Sequence, residues 1–263
     1  MVGYLGPVGS YSYLAAKKLR PQGGLKAYQS FPLAMQALEE GAVDEIVLPI
    51  ENSLNGGVAQ NMDLLNSRQV CAVEHIAVAI DHRLATLKGC GLENVKRVYS
   101  HAQALEQCAK YLLKNFPAAK LIATQSTAAS LEMLKGEGDA CIVGSHLIKE
   151  GVELSDKNIS DEPNNFTHFL LVRRGGVDSG AKSEKVYFSL TCKNVSGALL
   201  TVLQPIQRHG VNMTKIESRP VKNLPDEYAF FIEIEGDYST GKIKSALKEI
   251  ESLSKSFKIL GCY

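Results

Sequence analysis

No run of apolar residues in this sequence approaches the roughly 18 that a membrane-crossing helix needs, so no helical span is expected. Neither sign of charge is in surplus. The 29 Lys and Arg are matched by 28 Asp and Glu, which argues against a nucleic-acid partner. The opening residues, Met1-Val2-Gly3-Tyr4-Leu5-Gly6, lack the basic and apolar regions of a secretory signal and read as a strand. A cytoplasmic protein is expected. None of the six cysteines (Cys71, Cys90, Cys108, Cys141, Cys192 and Cys262) falls in a C-x-x-C pair. They read as reduced, mostly buried thiols, with neither a zinc site nor a disulfide framework. No Walker-type lysine motif or G-x-G-x-x-G follows a strand, and no H-E-x-x-H or His/Asp cluster is present. No nucleotide, metal or other cofactor is expected.

The 263 residues, 45% of them hydrophobic, suffice for two cores. The first two thirds alternate strand-like runs (45–49, 120–123, 140–143) with helix-like segments (12–19, 31–39, 102–115, 127–135). This predicts an α/β fold with a mostly parallel sheet. Ser30 before Pro32, and Ser126, are candidate helix caps. The long apolar stretch 70–84 reads as a passage to a second lobe, and 167–172 as the return strand. Ligands of open α/β sheets sit in the cleft such crossings leave.

The Gly-rich segment 173–180 reads as a linker, with the seam between Gly175 and Glu184. Beyond it the periodicity changes. Val186, Phe188, Leu190 and Cys192 alternate with polar residues as in a half-buried strand. Leu199, Val202, Leu203 and Ile206 mark one helix face; Ile243, Leu247, Ile250 and Leu253 mark another. With strands over 211–220, 228–235 and 258–260, the order is βαββαβ, a ferredoxin-like module. Pro205 inside the first helix should cost a hydrogen bond and kink it.

Four polar turns fall at strand ends. Gly6-Pro7-Val8-Gly9-Ser10-Tyr11-Ser12 opens a helix, where free amides and hydroxyls make an anion pocket without formal charge. Pro49 to Val58 gathers Glu51, Asn52, Ser53 and Asn55 beside Gly56-Gly57. There Glu51 is either a base or the partner of a nearby cation. Ser100-His101-Ala102-Gln103 and Ala123 to Thr127 read most simply as helix caps. Thr167 follows Asn164-Asn165-Phe166 at the lobe junction, where a β-branched strand residue is the plainer reading. The set suits a small polyanion held by dipoles.

In order, these motifs resemble those of the prephenate dehydratase family: Gly6 to Ser12, Glu51-Asn52-Ser53, Ser100 to Leu105, Ala123 to Ala128 and Asn165-Phe166-Thr167-His168-Phe169. Gly197-Ala198-Leu199-Leu200 and Val211 to Pro220 resemble that family's ACT domain. The resemblance covers nearly the whole chain. It implies a two-lobed, periplasmic-binding-protein-like (type 2) catalytic domain over 1–174. Lobe one would be about 1–75 plus 160–174, and lobe two about 76–159. A linker over 175–185 and a ferredoxin-like ACT domain over 186–263 would follow. The implied reaction converts prephenate to phenylpyruvate, carbon dioxide and water, under allosteric control by phenylalanine in a homodimer or homotetramer.

By the same likeness Thr167 matches the essential threonine of a Thr-Arg-Phe motif and acts with Asn52, Ser53 and Phe169. Ser10, Ser12, Glu51, Asn55, Gln103, Ser126, Thr127 and His168 would bind substrate. Gly197, Ala198, Leu199, Asn212, Met213, Thr214, Glu217 and Ser218 would bind the effector. His168 stands where the family has arginine, a permanent cation that histidine is not at neutral pH. Ser196 and Ala102 replace prolines. Arogenate dehydratase, or a sensor that has lost catalysis, are the rival readings.

Overall fold

The computed structural model describes residues 1–263 apart from 148, 179, 222, 223 and 225; Ser179 of the expected linker therefore lies outside the described residues. The chain begins β1 (Val2–Leu5), α1 (Tyr11–Leu19), β2 (Leu25–Tyr28), α2 (Phe31–Glu39), β3 (Glu45–Asn52), β4 (Gly56–Gly57), α3 (Ala59–Ser67) and β5 (Val70–Ala79). It continues β6 (His82–Leu87), β7 (Arg97–His101), α4 (Ala102–Gln107), α5 (Ala109–Asn115), β8 (Lys120–Thr124), β9 (Asp139–Gly144), β10 (Val152–Leu154) and β11 (Phe166–Arg174). The remainder is β12 (Lys185–Thr191), α6 (Ala198–Arg208), β13 (Met213–Pro220), β14 (Tyr228–Glu235), α7 (Gly241–Leu253) and β15 (Ser256–Cys262). Among the described residues no helix is long and apolar enough to cross a membrane.

Local chemistry sets several boundaries. The Ser10 hydroxyl accepts from the Tyr13 amide and Ser30 from Leu33, so both serines cap helices. The expected helix over 102–115 breaks at Cys108, whose φ of −117° and ψ of 15° lie outside the helical range. Residues 127–135 form only a 3₁₀ turn, Ala129–Met133, because the run is short and Gly136 and Gly138 follow. In α6 the Pro205 ring removes one donor near the end, yet its own carbonyl still accepts from His209, and the helix runs to Arg208.

Two sheets carry these elements. The smaller is ordered β10-β6-β9-β7-β8; the larger is β13-β14-β12-β15-β5-β11-β3-β1-β2, with β4 paired to β3. The crossings between them fall later than the sequence suggests. β5 stays in the larger sheet to Ala79, and β11 re-enters it at Phe166.

The larger sheet does not stop at the seam. β15 of the C-terminal module lies beside β5, joined through Gly261 and Ala72. The alternation at 186–192 predicts one wet face, but Tyr187 and Ser189 are buried too, at 1% and 3% exposed. The reason is packing on both sides. Val186, Phe188 and Leu190 meet α6 and α7, while Tyr187, Phe231 and Leu260 join a core with Leu38, Met62 and Leu65 of the first lobe. Ser189 is satisfied there by donating to Asn66 Oδ1 at 2.6 Å.

The β15–β5 junction is tight: a Cβ on Gly261 would stand 2.5 Å from Ala72 Cβ and 2.7 Å from its carbonyl oxygen. Gly261→Val should therefore destabilise the protein by about 1–3 kcal/mol, the usual overpacking penalty. Thermal unfolding followed by circular dichroism checks this. An unchanged midpoint would mean the two strands are not in close contact.

Candidate functional site

The two sheets enclose a cleft of about 1180 Å³. Ser10, Ser12, Asn52, Asn55, Gln103, Ser126, Thr127, Thr167 and Phe169 line it, together with His101. Glu51, Ser53 and His168 do not. Lobe one supplies the cleft floor from β3 and β11, which pair antiparallel with Thr167 opposite Asn52.

Asn52 organises that floor. Its side-chain amide donates to Asn165 Oδ1 at 2.7 Å, to Thr167 Oγ1 at 3.0 Å and to the Phe166 carbonyl at 3.2 Å. Its carbonyl oxygen accepts from the amides of Leu54 and Asn55, which shapes the β3–β4 turn. A threonine hydroxyl that accepts from an amide keeps its own proton for another acceptor. Thr167 Oγ1 is thus set up as a donor into the cleft. Ser53 ties turn to strand: its hydroxyl accepts from the Phe166 amide at 2.9 Å and approaches Asn165 Oδ1 at 3.3 Å.

The sequence reading extends β3 only to Pro49, but the strand runs through Asn52. Strand alternation then turns Asn52 into the cleft and Glu51 away from it. Glu51 binds Lys215 Nζ at 2.7 Å instead, which removes it from the substrate set. The same alternation on β11 places Thr167 and Phe169 at the cleft and His168 behind it.

Of the lobe-one serines, Ser10 is already engaged, since its hydroxyl also donates to the Leu5 carbonyl at 2.8 Å. Ser12 lies on the first turn of α1, buried at the cleft wall. From lobe two, Ser126 accepts from the Ala129 amide at 3.0 Å, with Thr127 beside it. Gln103 and Gln107 both donate to Asn55 Oδ1 across the cleft, at 3.2 and 3.5 Å.

His168 Nδ1 lies 2.8 Å from His75 Nε2 on β5. His75 stacks on Tyr263, which donates to Glu233 Oε2 at 2.7 Å. Glu233 also accepts from Lys185 and Thr214. The position that departs from the family's arginine therefore reaches the C-terminal module rather than a ligand. Burial, then the neighbouring His168 and Lys185, hold His75 below the ordinary imidazole range. Burial would raise Glu233, but the bonds from Lys185, Thr214 and Tyr263 overcome it and keep the carboxylate below its usual value.

The expected effector residues divide. Gly197, with φ +79°, precedes Ala198 and Leu199 at the start of α6. Asn212 donates to Glu235, Thr214 donates to Glu233, and Met213 is exposed. Ser218 lies opposite Phe230 on the helix side of the sheet. Glu217 faces the other way: a Cβ on Gly57 would meet its Oε2 at 2.1 Å. Sequence reasoning gave no role to Asn165, His75 or Lys215. Asn165 and Lys215 lie inside the motif runs quoted above, whereas His75, on β5, carried no signal.

The chain matches the family model described as prephenate dehydratase over residues 2–176 and that described as ACT domain over 186–252. It is 33% identical over 268 residues to the bifunctional chorismate mutase/prephenate dehydratase of Neisseria gonorrhoeae, covering 100% of this chain and 74% of the relative. Its fold superposes on the prephenate dehydratase of Arthrobacter aurescens in complex with L-Phe with a TM-score of 0.88, at 27% identity, covering 100% of this chain and 89% of that one. A structure described as a novel type of quorum quenching acylase superposes at 0.86, with 26% identity, covering 100% and 96%.

His75, His82 and His146 are all held low, chiefly by burial. The unfolded chain thus binds more protons than the folded one once pH falls below about 6.5. Stability should be full above that value and drop as pH falls through the lower folded values. Urea midpoints at pH 7.5 and 5.5 measure the drop. In His75→Gln it should be smaller than in the wild type; an equal drop would show that His75 titrates alike folded and unfolded.

Proposed function

The chain belongs to the prephenate dehydratase family, and from that membership we infer how its cleft performs the reaction, prephenate to phenylpyruvate, carbon dioxide and water. The fold is a two-lobed, periplasmic-binding-protein-like catalytic domain with a C-terminal ACT domain. The observation that supports the residue roles is the Asn52 amide donating to Thr167 at the cleft floor.

Prephenate carries two carboxylates and a ring hydroxyl opposite the quaternary carbon. The carbon–carboxylate bond breaks, its electron pair enters the ring, and the hydroxyl leaves with a proton as water. Aromatisation makes this strongly downhill, so the protein has only a barrier to lower. Thr167 donates to the departing hydroxyl. An alkyl hydroxyl is too weak an acid to act alone, so its proton is replaced through water. No Lys or Arg is among the described residues lining the cleft. The departing carboxylate, set against Phe169, is not held back by a cation as its charge disperses. The α1 amides with Ser12, and Ser126 with Thr127, hold the pyruvyl carboxylate by dipoles. Asn55 and Gln103 close the lobes over it.

The ACT domain responds to L-phenylalanine. In our reading the ligand binds between two copies of the chain in a cytoplasmic homodimer or homotetramer. Gly197, Ala198 and Leu199 of one copy meet Asn212, Met213 and Thr214 of the other. The working domain limits are 1–174, a linker over 175–185, and 186–263.

Purified protein should yield phenylpyruvate from prephenate; phenylalanine from arogenate instead would reassign the substrate, and no product from either would indicate a sensor. Thr167→Val should lower kcat by about 100- to 10,000-fold, as loss of an acid–base group does, and Thr167→Ser should keep most of it. An undiminished kcat in the valine variant would remove Thr167 from the chemistry.

A further inference from the structure

The hairpin that carries Asn52 is held from its back by the C-terminal module. In the two-residue ladder of β3 and β4, Glu51 pairs with Gly57 and Asn52 with Gly56. β13 presents Lys215 and Glu217, two residues apart and on one face, to the first of these pairs. Lys215 Nζ lies 2.7 Å from Glu51 Oε2 and 3.8 Å from Glu217 Oε2. Glu217 packs directly on Gly57, where a Cβ would displace its carboxylate. Lys215 is only 15% exposed, so solvent screens this bridge less than it would a surface pair.

We propose that Lys215 is a positioning residue for the dehydratase reaction: its ammonium bridges Glu51 and Glu217, and so fixes the hairpin from which Asn52 orients Thr167. The inference rests on the role given to Thr167 above. Without the ammonium, the two carboxylates that now share it are left with no cation between them, and like charges so placed repel. That repulsion pushes β3–β4 away from β13. Asn52 is the next residue, and a small displacement of it breaks the 3.0 Å bond to Thr167. The charge on β13 thus acts on the reaction without entering the cleft. β13 also begins beside Asn212, so a ligand that shifts this strand would move the same bridge.

The variant Lys215→Met tests this in the full chain. It should lose about 10- to 100-fold in kcat, as misplacement of a reacting group does, with KM changed much less. Hydrogen exchange should speed up at the Leu54 and Asn55 amides and stay unchanged in β7. The double variant Lys215→Met with Glu51→Gln still lacks the bridge but removes the repulsion, and should recover the part of the loss that repulsion causes. Wild-type kcat or wild-type hairpin exchange in Lys215→Met, or a double variant no better than the single, overturns the proposal. If Lys215→Met does not fold, Glu51→Gln alone decides: faster hairpin exchange supports the bridge, unaltered exchange overturns it. Exchange needs no substrate. A wild type inactive on prephenate would sink the reading of the cleft and leave the exchange result standing.

Discussion

The antiparallel pairing of β3 with β11 is the constraint on which the rest depends. It joins Asn52 to Thr167 across 115 residues of sequence. The whole second lobe is inserted between the two strands. Closing so long a loop is entropically unfavourable, though the cost grows only slowly with length. The ladder from Thr167–Asn52 to Arg173–Glu45, buried on one face at Val47 and Leu171 and on the other at Leu48 and Leu170, offsets it. One pairing therefore does two things. It closes the first lobe, and it brings an amide donor to the hydroxyl that faces the cleft.

The second lesson concerns the C-terminal module. A βαββαβ unit needs one sheet face for its helices and leaves the other open. Here the other face is covered by α2 and α3 and extended by β5, so Tyr187 and Ser189 are as buried as Phe188. Sensing and catalysis share a sheet. The contacts that cross it include apolar packing, the Glu51–Lys215 and Asp63–Arg219 bridges, the Ser189–Asn66 hydrogen bond, and the stacked His168, His75 and Tyr263. A module attached this way cannot shift without work being done at the back of the active-site strands.

Charge is arranged to match. Cations with defined partners sit behind the cleft: Lys215 with Glu51, Lys185 with Glu233, Arg219 with Asp63. The cleft itself is lined mostly with hydroxyls, amides and aromatic rings, with two imidazoles, His82 and His101, and one carboxylate, Glu132, but no Lys or Arg among the described lining residues. Such groups bind a carboxylate without pinning its charge, which suits a reaction whose carboxylate must lose that charge. His168 in place of the family's arginine fits this division, because its side chain points to His75 and not to the ligand.

Motifs with local causes were legible in the sequence. Ser10 and Ser30 cap helices because a hydroxyl needs only an amide three residues on. The βαββαβ order followed from periodicity. The family resemblance rested on short ordered runs, and with it came the prephenate reaction and the sensor module. What those runs left open was direction. Glu51 and Asn52 are neighbours in a polar stretch, as are Thr167 and His168, and nothing local says which of each pair meets the ligand. Strand register decides that, and register is set by partners more than 100 residues away. Glu217 likewise belongs to a run that resembles a sensor motif, yet the register of β13 against β14 turns it toward Gly57. The sequence by itself determined which residues form elements and which chemistry they can offer. Only the tertiary structure decided which face each side chain occupies, because side chains alternate along a strand and only the packing of both sheet faces says where each points.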